Sequence, residues 1–300
     1  MQKKLAQVTR LGAEYLSRYG VSDALAEAEY LISSALNIRR TDIYLRGDED
    51  VPEETLAILR RMIMERATTG KPSSYITGKK EFYGLEFSVN EECLIPRPET
   101  EIMVEEIINS CSVAPHEASS PAMTASGRTL NALDIGCGSG NIAICLAKFI
   151  EKIFVWAVDI SYGAVLKTLE NALANGVYPK IAAYKGDLFS PFSDVRYKGF
   201  FDIIVSNPPY IADKDLPSLD AGVYRFEPRV ALAGGSDGLE FYRRIIPAAK
   251  FFLARGGRIY LEMGAGQRKE IEDMFKMEGY SGIIVRQDYN GIDRVISASF

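Results

Sequence analysis

The sequence predicts an α/β protein: a doubly wound, mostly parallel sheet of seven strands ending in an antiparallel hairpin, preceded by a small helical domain. Three observations carry this expectation. Apolar residues recur at helical spacing through roughly the first seventy positions. From about residue 130, short apolar strands alternate with helical segments, the pattern of a parallel sheet covered on both faces. Near the end, Asp288-Tyr289-Asn290-Gly291 separates two final strands as a hairpin turn would.

Leu5, Val8, Leu11, Tyr15 and Leu16 mark the first helix, and Gly20 stops it. Ser22 or Asp23 is placed to cap a second helix with an apolar face of Leu25, Ala28, Leu31, Ile32, Ala35 and Leu36. Pro52, Glu53 and Glu54 form a suitable first turn for a third, carrying Leu56, Leu59, Met62 and Ile63. These helices hold no evident chemistry and read equally as a packed bundle and as a recognition module. The helical domain is expected over residues 1–74, a β-hairpin linker around Gly84 over 75–96, and the α/β domain over 97–300.

Pro96 and Pro98 end the linker, and Glu99 to Ile108 reads as a helix. Residues 112–128 are small, polar and proline-containing, a flexible surface insertion in which His116 is solvated. Strands are then expected at 130–135, 153–158, 181–184, 201–206, 258–263, 282–286 and 294–298. Helices fall at 141–149, 164–174, 241–253 and 268–278.

Composition narrows the function. The N-terminus lacks an apolar signal-peptide core and no run is long enough to span a bilayer, which points to the cytoplasm. Four cysteines without a Cys-x-x-Cys pair, with a single histidine, argue against zinc and for buried thiols. A net charge of -5 and a pI of about 5.3 disfavour stable nucleic-acid binding, which draws on cationic surface.

The first chemical signal is Asp134-Ile135-Gly136-Cys137-Gly138-Ser139-Gly140 between a strand and a helix, where glycines permit a tight turn and expose backbone N–H groups to a ligand. Asp159 ends the next strand, about 20 residues on, at a distance suited to ribose hydroxyls. Asn141 breaks the G-x-G-x-x-G spacing of dinucleotide folds, which moves the reading away from a dehydrogenase. Asp187 in Gly186-Asp187-Leu188-Phe189 reads equally as an acceptor for an adenine amino group and as a turn residue.

The second signal is an apolar strand that ends abruptly in Asn207-Pro208-Pro209-Tyr210. The prolines hold the backbone extended and remove two donors, leaving the Asn207 side-chain oxygen and the Pro208 carbonyl as an acceptor pair beside the ring of Tyr210. Such a pair suits an NH2 group whose lone pair is delocalised into a carbonyl or aromatic ring. The acceptors orient it and favour the tetrahedral nitrogen formed as a methyl arrives, without a strong base.

Both signals, with Gly70-Lys71-Pro72, Tyr75 to Gly78, Phe82 to Leu85, Leu94-Ile95-Pro96-Arg97-Pro98-Glu99-Thr100-Glu101, Glu227-Pro228-Arg229, Gly234 to Leu239 and Gly291 to Val295, resemble the release-factor glutamine methyltransferase family. The likeness covers the chain from about residue 60. It implies a class I, Rossmann-like methyltransferase fold that moves a methyl group from S-adenosyl-L-methionine to glutamine N5 in the Gly-Gly-Gln loop of a peptide chain release factor. It implies a cofactor site of Asp134, Gly136, Cys137, Gly138, Ser139, Gly140, Asp159, Asp187, Leu188 and Asn207. Asn207, Pro208, Pro209 and Tyr210 would hold the glutamine, with Asn207, Pro208 and Tyr210 acting on it and no metal required, while the helical domain helps grip the release factor.

Two departures from the family pattern stand out: the length of 112–128, and Leu188 where some members place an aromatic ring against adenine. The tetrapeptide is shared with enzymes that methylate exocyclic amines of DNA and RNA bases, which makes these the alternative. A non-catalytic binding module is disfavoured, because both half-sites are present.

Overall fold

The computed structural model describes residues 3–112 and 128–300. The expected insertion with His116 thus lies, apart from its two end residues, outside the described residues. Contacts divide the chain into two compact units, Met1–Lys79 with Leu219–Phe226, and Lys80–Ser218 with Glu227–Phe300.

The first unit is built on α1 (Leu5–Arg18), α2 (Ala24–Leu36) and α3 (Glu53–Thr69). Leu5, Val8, Ile32, Ile43, Val51, Leu56 and Leu59 form one apolar cluster, and Leu16, Ala28, Leu31, Met62 and Ile63 a second. The stripe on α1 differs from the expected one. Leu11 is exposed and Gly12 is buried in its place, where a Cβ would sit 3.0 Å from Ile63 Cδ1 and 3.5 Å from the Cβ of Ala28. Glycine there lets the helices approach closely. Asp23 precedes α2 in a left-handed conformation (φ 50°) and makes no side-chain cap, so the expected capping is not seen. A short helix, Ser73–Thr77, ends on Gly78 (φ 72°), so the hairpin begins later than Tyr75. Leu219–Phe226, distant in sequence, packs in this unit, and a Cβ on Gly222 would lie 2.7 Å from the carbonyl of Gly70.

The hairpin pairs Lys79–Phe82 with Leu85–Ser88. Its two-residue loop, Tyr83 and Gly84, has φ of 51° and 71°, the backbone that matches the twist of short hairpins. The Tyr83 N–H donates to Glu101 Oε1 at 2.8 Å, which anchors a residue type that rarely adopts this conformation.

The second unit carries the seven-stranded sheet. Its strands are β1 (Leu130–Ile135), β2 (Ile153–Asp159), β3 (Ile181–Lys185), β4 (Phe201–Ser206), β5 (Leu253–Glu262), β6 (Ser281–Gln287) and β7 (Asp293–Ser299). The spatial order is β6-β7-β5-β4-β1-β2-β3. Strands β1 to β5 pair in parallel, whereas β7 is antiparallel to both β5 and β6. This is the doubly wound sheet with a terminal antiparallel hairpin that the sequence predicts.

Helices α4 (Glu99–Ser112), α5 (Asn141–Phe149) and α6 (Tyr162–Ala174) touch in succession, and α7 (Glu240–Phe252) touches α8 (Arg268–Met277). The main core includes Leu133, Phe201, Ile204, Tyr242, Ile246, Ile259 and Phe275. Among the described residues no helix is long and apolar enough to cross a membrane.

One register at the carboxyl end of the sheet positions everything that follows. Ile135 is paired with Val158 on one side and Ser206 on the other, and Ser206 is paired with Leu261. Ser206 Oγ donates to the Ile135 carbonyl at 2.7 Å and ties β4 to β1 there. The next residue on each of these four strands is therefore Asp159, Gly136, Asn207 and Glu262.

Substituting Gly12→Leu should overpack the first unit and cost about 1–3 kcal/mol, read as a lowered melting temperature of that unit. An unchanged transition would show that the helices do not need their close approach.

Candidate active site

The chain leaves β1 through Gly136 (φ 74°), Gly138 (φ 54°) and Gly140 (φ 80°), three left-handed residues that only glycine adopts freely. The loop folds back on its neighbour. Gly136 and Cys137 donate their N–H groups to the Val158 carbonyl at 2.8 and 3.1 Å. Asn171, buried on α6, fixes the loop from behind by donating to the carbonyls of Ser139 and Ser88, both at 2.9 Å, while accepting from the Ser88 N–H at 2.7 Å.

Asp159 accepts from Gly138 N at 2.9 Å through one oxygen and from Ser161 N at 2.9 Å through the other. Each carboxylate oxygen keeps a further lone pair, and burial pushes the group above its usual range despite these bonds. Asp134 lies behind the loop. It is fully buried, accepts from Ala143 N at 3.1 Å in the first turn of α5, and its Oδ1 meets no partner among the described residues. Burial raises it to about 7.

After β4, the segment Asn207 to Tyr210 is held from two sides. Gln267 donates to the carbonyls of Tyr210 (3.0 Å) and Gly238 (3.1 Å) and accepts from Gly264 N (2.9 Å). Gly234 and Gly238 press against the same segment, where a Cβ would stand 2.8 Å from the Pro209 carbonyl oxygen and 2.4 Å from that of Tyr210. On the inner side, Asn207 Nδ2 donates to Thr100 Oγ1 at 3.2 Å, and Thr100 donates to Glu262 Oε2 at 2.6 Å. The Tyr210 hydroxyl stands 3.5 Å from Glu262 Oε1.

These elements enclose a cavity of about 470 Å³, within the range of small-molecule sites. Its walls include Gly136, Cys137, Gly138 and Ser139, then Asp159, Asp187 and Leu188, then Asn207, Pro208 and Pro209. A tight glycine loop, a carboxylate with spare lone pairs and apolar walls of Ile135, Ile160 and Leu188 suit an adenosine-bearing molecule. The N–H groups of Gly136, Cys137 and Gly138, expected to face a ligand, are bonded to Val158 and Asp159 instead.

Residues 7–78 match the family described as the PrmC N-terminal domain, and residues 121–220 the methyltransferase small domain. A release factor glutamine methyltransferase of Geobacter sulfurreducens is 42% identical over 94% of this chain and 92% of its own length. This chain belongs to the release factor glutamine methyltransferase family. A second relative of the same description, from Moorella thermoacetica, is 36% identical over 94% of both chains. Among solved structures, a human methyltransferase 10 domain containing protein aligns with a TM-score of 0.52 at 15% identity, over 83% of this chain and 96% of that one. A methyltransferase from Pyrococcus furiosus aligns with a TM-score of 0.50 at 18% identity, over 82% and 97%. Both share the fold.

For a member of the release factor glutamine methyltransferase family, three expected site residues stand apart from the cavity wall. Asp134 points into α5, because neighbouring side chains on a strand face opposite ways and Ile135 takes the cavity side. Gly140 packs on α6, where a Cβ would come within 2.9 Å of Thr168 Cγ2. Tyr210 is drawn toward Glu262, its ring beside Gly264, and does not offer the expected stacking face to the cavity. Asp187 does line the cavity, but its carboxylate is paired with Arg244. Leu188 lines it too, in a left-handed conformation (φ 50°).

Several wall residues have no counterpart in the reading of the two motifs. Glu92 accepts from Ser161 Oγ at 3.2 Å, and Cys93 is buried beside the glycine loop. Arg97 donates to the buried Glu227 at 2.6 Å, which joins Pro-Arg-Pro-Glu-Thr-Glu to Glu-Pro-Arg. Thr100 completes the wall. The Pro-Arg-Pro-Glu-Thr-Glu string was the available signal, and it reads locally only as a strand end and helix start.

Asp134 binds its proton more tightly in the folded state than its ordinary 3.8. Its contribution to stability is full below that value and is lost as pH rises through about 7. Asp134→Asn should therefore flatten the fall of melting temperature with rising pH across this window, measured by thermal denaturation of the cofactor-free protein. An unaltered slope would place the titration elsewhere.

Proposed function

We propose that this chain transfers a methyl group from S-adenosyl-L-methionine to the side-chain nitrogen, N5, of the glutamine in the Gly-Gly-Gln loop of a peptide chain release factor. The observation that carries the reading is Asn207. One of its two amide N–H groups donates to Thr100, which fixes the amide and leaves its oxygen as an acceptor beside the glycine loop and Asp159.

Bound S-adenosylmethionine supplies an electrophilic methyl group on a positively charged sulfur. Asp159, held rigid by Gly138 and Ser161, would accept from the ribose hydroxyls. The N–H groups of Gly136, Cys137 and Gly138 are taken up by Val158 and Asp159, so the glycine loop would contribute a close-fitting backbone wall, and Leu188 would offer an apolar surface to the adenine. The Asn207 oxygen and the Pro208 carbonyl each accept one N–H of the substrate amide. This fixes the plane of the amide and turns its nitrogen lone pair toward the methyl group. Holding both protons in hydrogen bonds favours the tetrahedral nitrogen, which carries the positive charge once the methyl is bound and releases one proton to solvent to give the neutral N-methyl amide; rigid placement supplies the rate. Tyr210 keeps the segment seated against Glu262 and Gln267.

The net charge of -5 supports a protein partner over nucleic-acid backbone. We assign the reaction to the cytoplasm, where release factors act, and the helical unit to gripping the release factor.

Mass spectrometry of a release factor incubated with the protein and S-adenosylmethionine should find one methyl in place of one hydrogen on the Gly-Gly-Gln glutamine. Label in DNA or RNA, with none in the release factor, would overturn the reading in favour of base amines. Asn207→Ala should lower turnover by about 100-fold or more while cofactor affinity stays near wild type. Asp159→Ala should do the reverse, weakening cofactor binding in calorimetry, and unchanged affinity would refute the ribose contact.

A further inference from the structure

Glu262 ends β5 and Thr100 opens α4, and neither belongs to the motifs that mark the cofactor or substrate. Both are buried, with 1% of their surface exposed. The hydrogen bonds between them run in one direction only. An ionised carboxylate has no proton to give, so at 2.6 Å from Glu262 Oε2 the Thr100 hydroxyl must donate its single hydrogen. Toward Asn207 it then presents only lone pairs. Asn207 must answer with its NH2, at 3.2 Å, and its oxygen is left for the cavity. A flipped amide has the same shape, but it would set oxygen against oxygen at Thr100. It would also set a donor against the substrate's own NH2.

We propose that Glu262 and Thr100 are positioning residues that set the Asn207 amide oxygen toward the cavity. The proposal rests on the methyl-acceptor reading of Asn207 given above. A charge buried under the sheet edge thereby fixes the polarity of a neutral side chain at the site.

The surroundings of Glu262 decide when that charge is present. Burial is the main influence, raising the carboxyl to about 7. From α4, Thr100 lowers it through its hydrogen bond and the Glu99 charge raises it. Arg294 on β7 and the Tyr210 hydroxyl lower it, and Tyr242 of α7 donates to the Glu262 backbone carbonyl at 2.9 Å. Above this value the carboxylate accepts from Thr100 and the direction is forced. Below it the carboxyl carries its own proton and can donate to Thr100, whose hydrogen is then released toward Asn207. The flipped amide becomes allowed, and turnover falls on the acid side although glutamine, asparagine and threonine do not titrate.

The test follows the ¹⁵N-labelled Asn207 side-chain amide by NMR in the substrate-free protein, assigned by its loss in Asn207→Asp, alongside turnover on a release factor. The signal should shift with pH around 7 in the wild type and stay still in Glu262→Gln and Thr100→Val. Thr100→Val should lower kcat at least about tenfold with KM for S-adenosylmethionine unchanged, and should erase the acid limb of the pH profile. Thr100→Ser, which keeps the hydroxyl, should recover both. A wild-type kcat and pH profile in Thr100→Val, or an Asn207 amide that ignores pH, would overturn the proposal. A responding amide in a protein that methylates no release factor would uphold the relay and remove the substrate reading instead.

Discussion

Parallel pairing imposes one constraint from which the rest of the site follows: when four adjacent strands end in register, their next residues stand in a row. Val158, Ile135, Ser206 and Leu261 are that last rung, and Asp159, Gly136, Asn207 and Glu262 follow it. A carboxylate, a turn glycine, an amide and a buried acid are thereby brought side by side from positions spread between 136 and 262 of the sequence. No single loop has to fold accurately for this to happen. The Ser206 hydroxyl on the Ile135 carbonyl reinforces the rung at its centre.

The layers behind this row convert placement into rigidity. Asn171 grips the glycine loop and the hairpin strand with one side chain, using both its donors and its acceptor. Gln267 does the same for Tyr210 and the loop that contains Gly238. Both are polar groups committed on every side, and such groups specify a geometry because any other arrangement leaves a buried partner unmet. The same logic runs through Thr100 to Glu262, with the difference that its last member carries a charge.

Much of this was legible in the sequence, and the remainder was not for definite reasons. The alternation of strands and helices, the glycine loop and Asp159 declare themselves through period and local turn chemistry. Glu262 and Thr100 do not, because nothing beside them in sequence says that a strand end and a helix start will meet. Gly12 took the place expected for Leu11 because close helix packing selects the smallest side chain, a preference that hydrophobic pattern cannot express. Within the motifs themselves, Asp134, Gly140 and Tyr210 sit beside residues of the cavity wall yet serve packing and support. Contiguity in a motif did not mean a shared face, since strand side chains alternate.

Two of the four cysteines, Cys93 and Cys137, line the cavity. Burial pushes Cys93 up to about 11 and Cys137 well above its ordinary value, so both remain thiols. The thiolate is the nucleophilic form of sulfur, and these side chains do not reach it at neutral pH. In the function proposed above this pocket receives an alkylating agent, and the sulfur in its walls would meet that agent as neutral thiol. The same burial that packs these side chains thereby sets their reactivity.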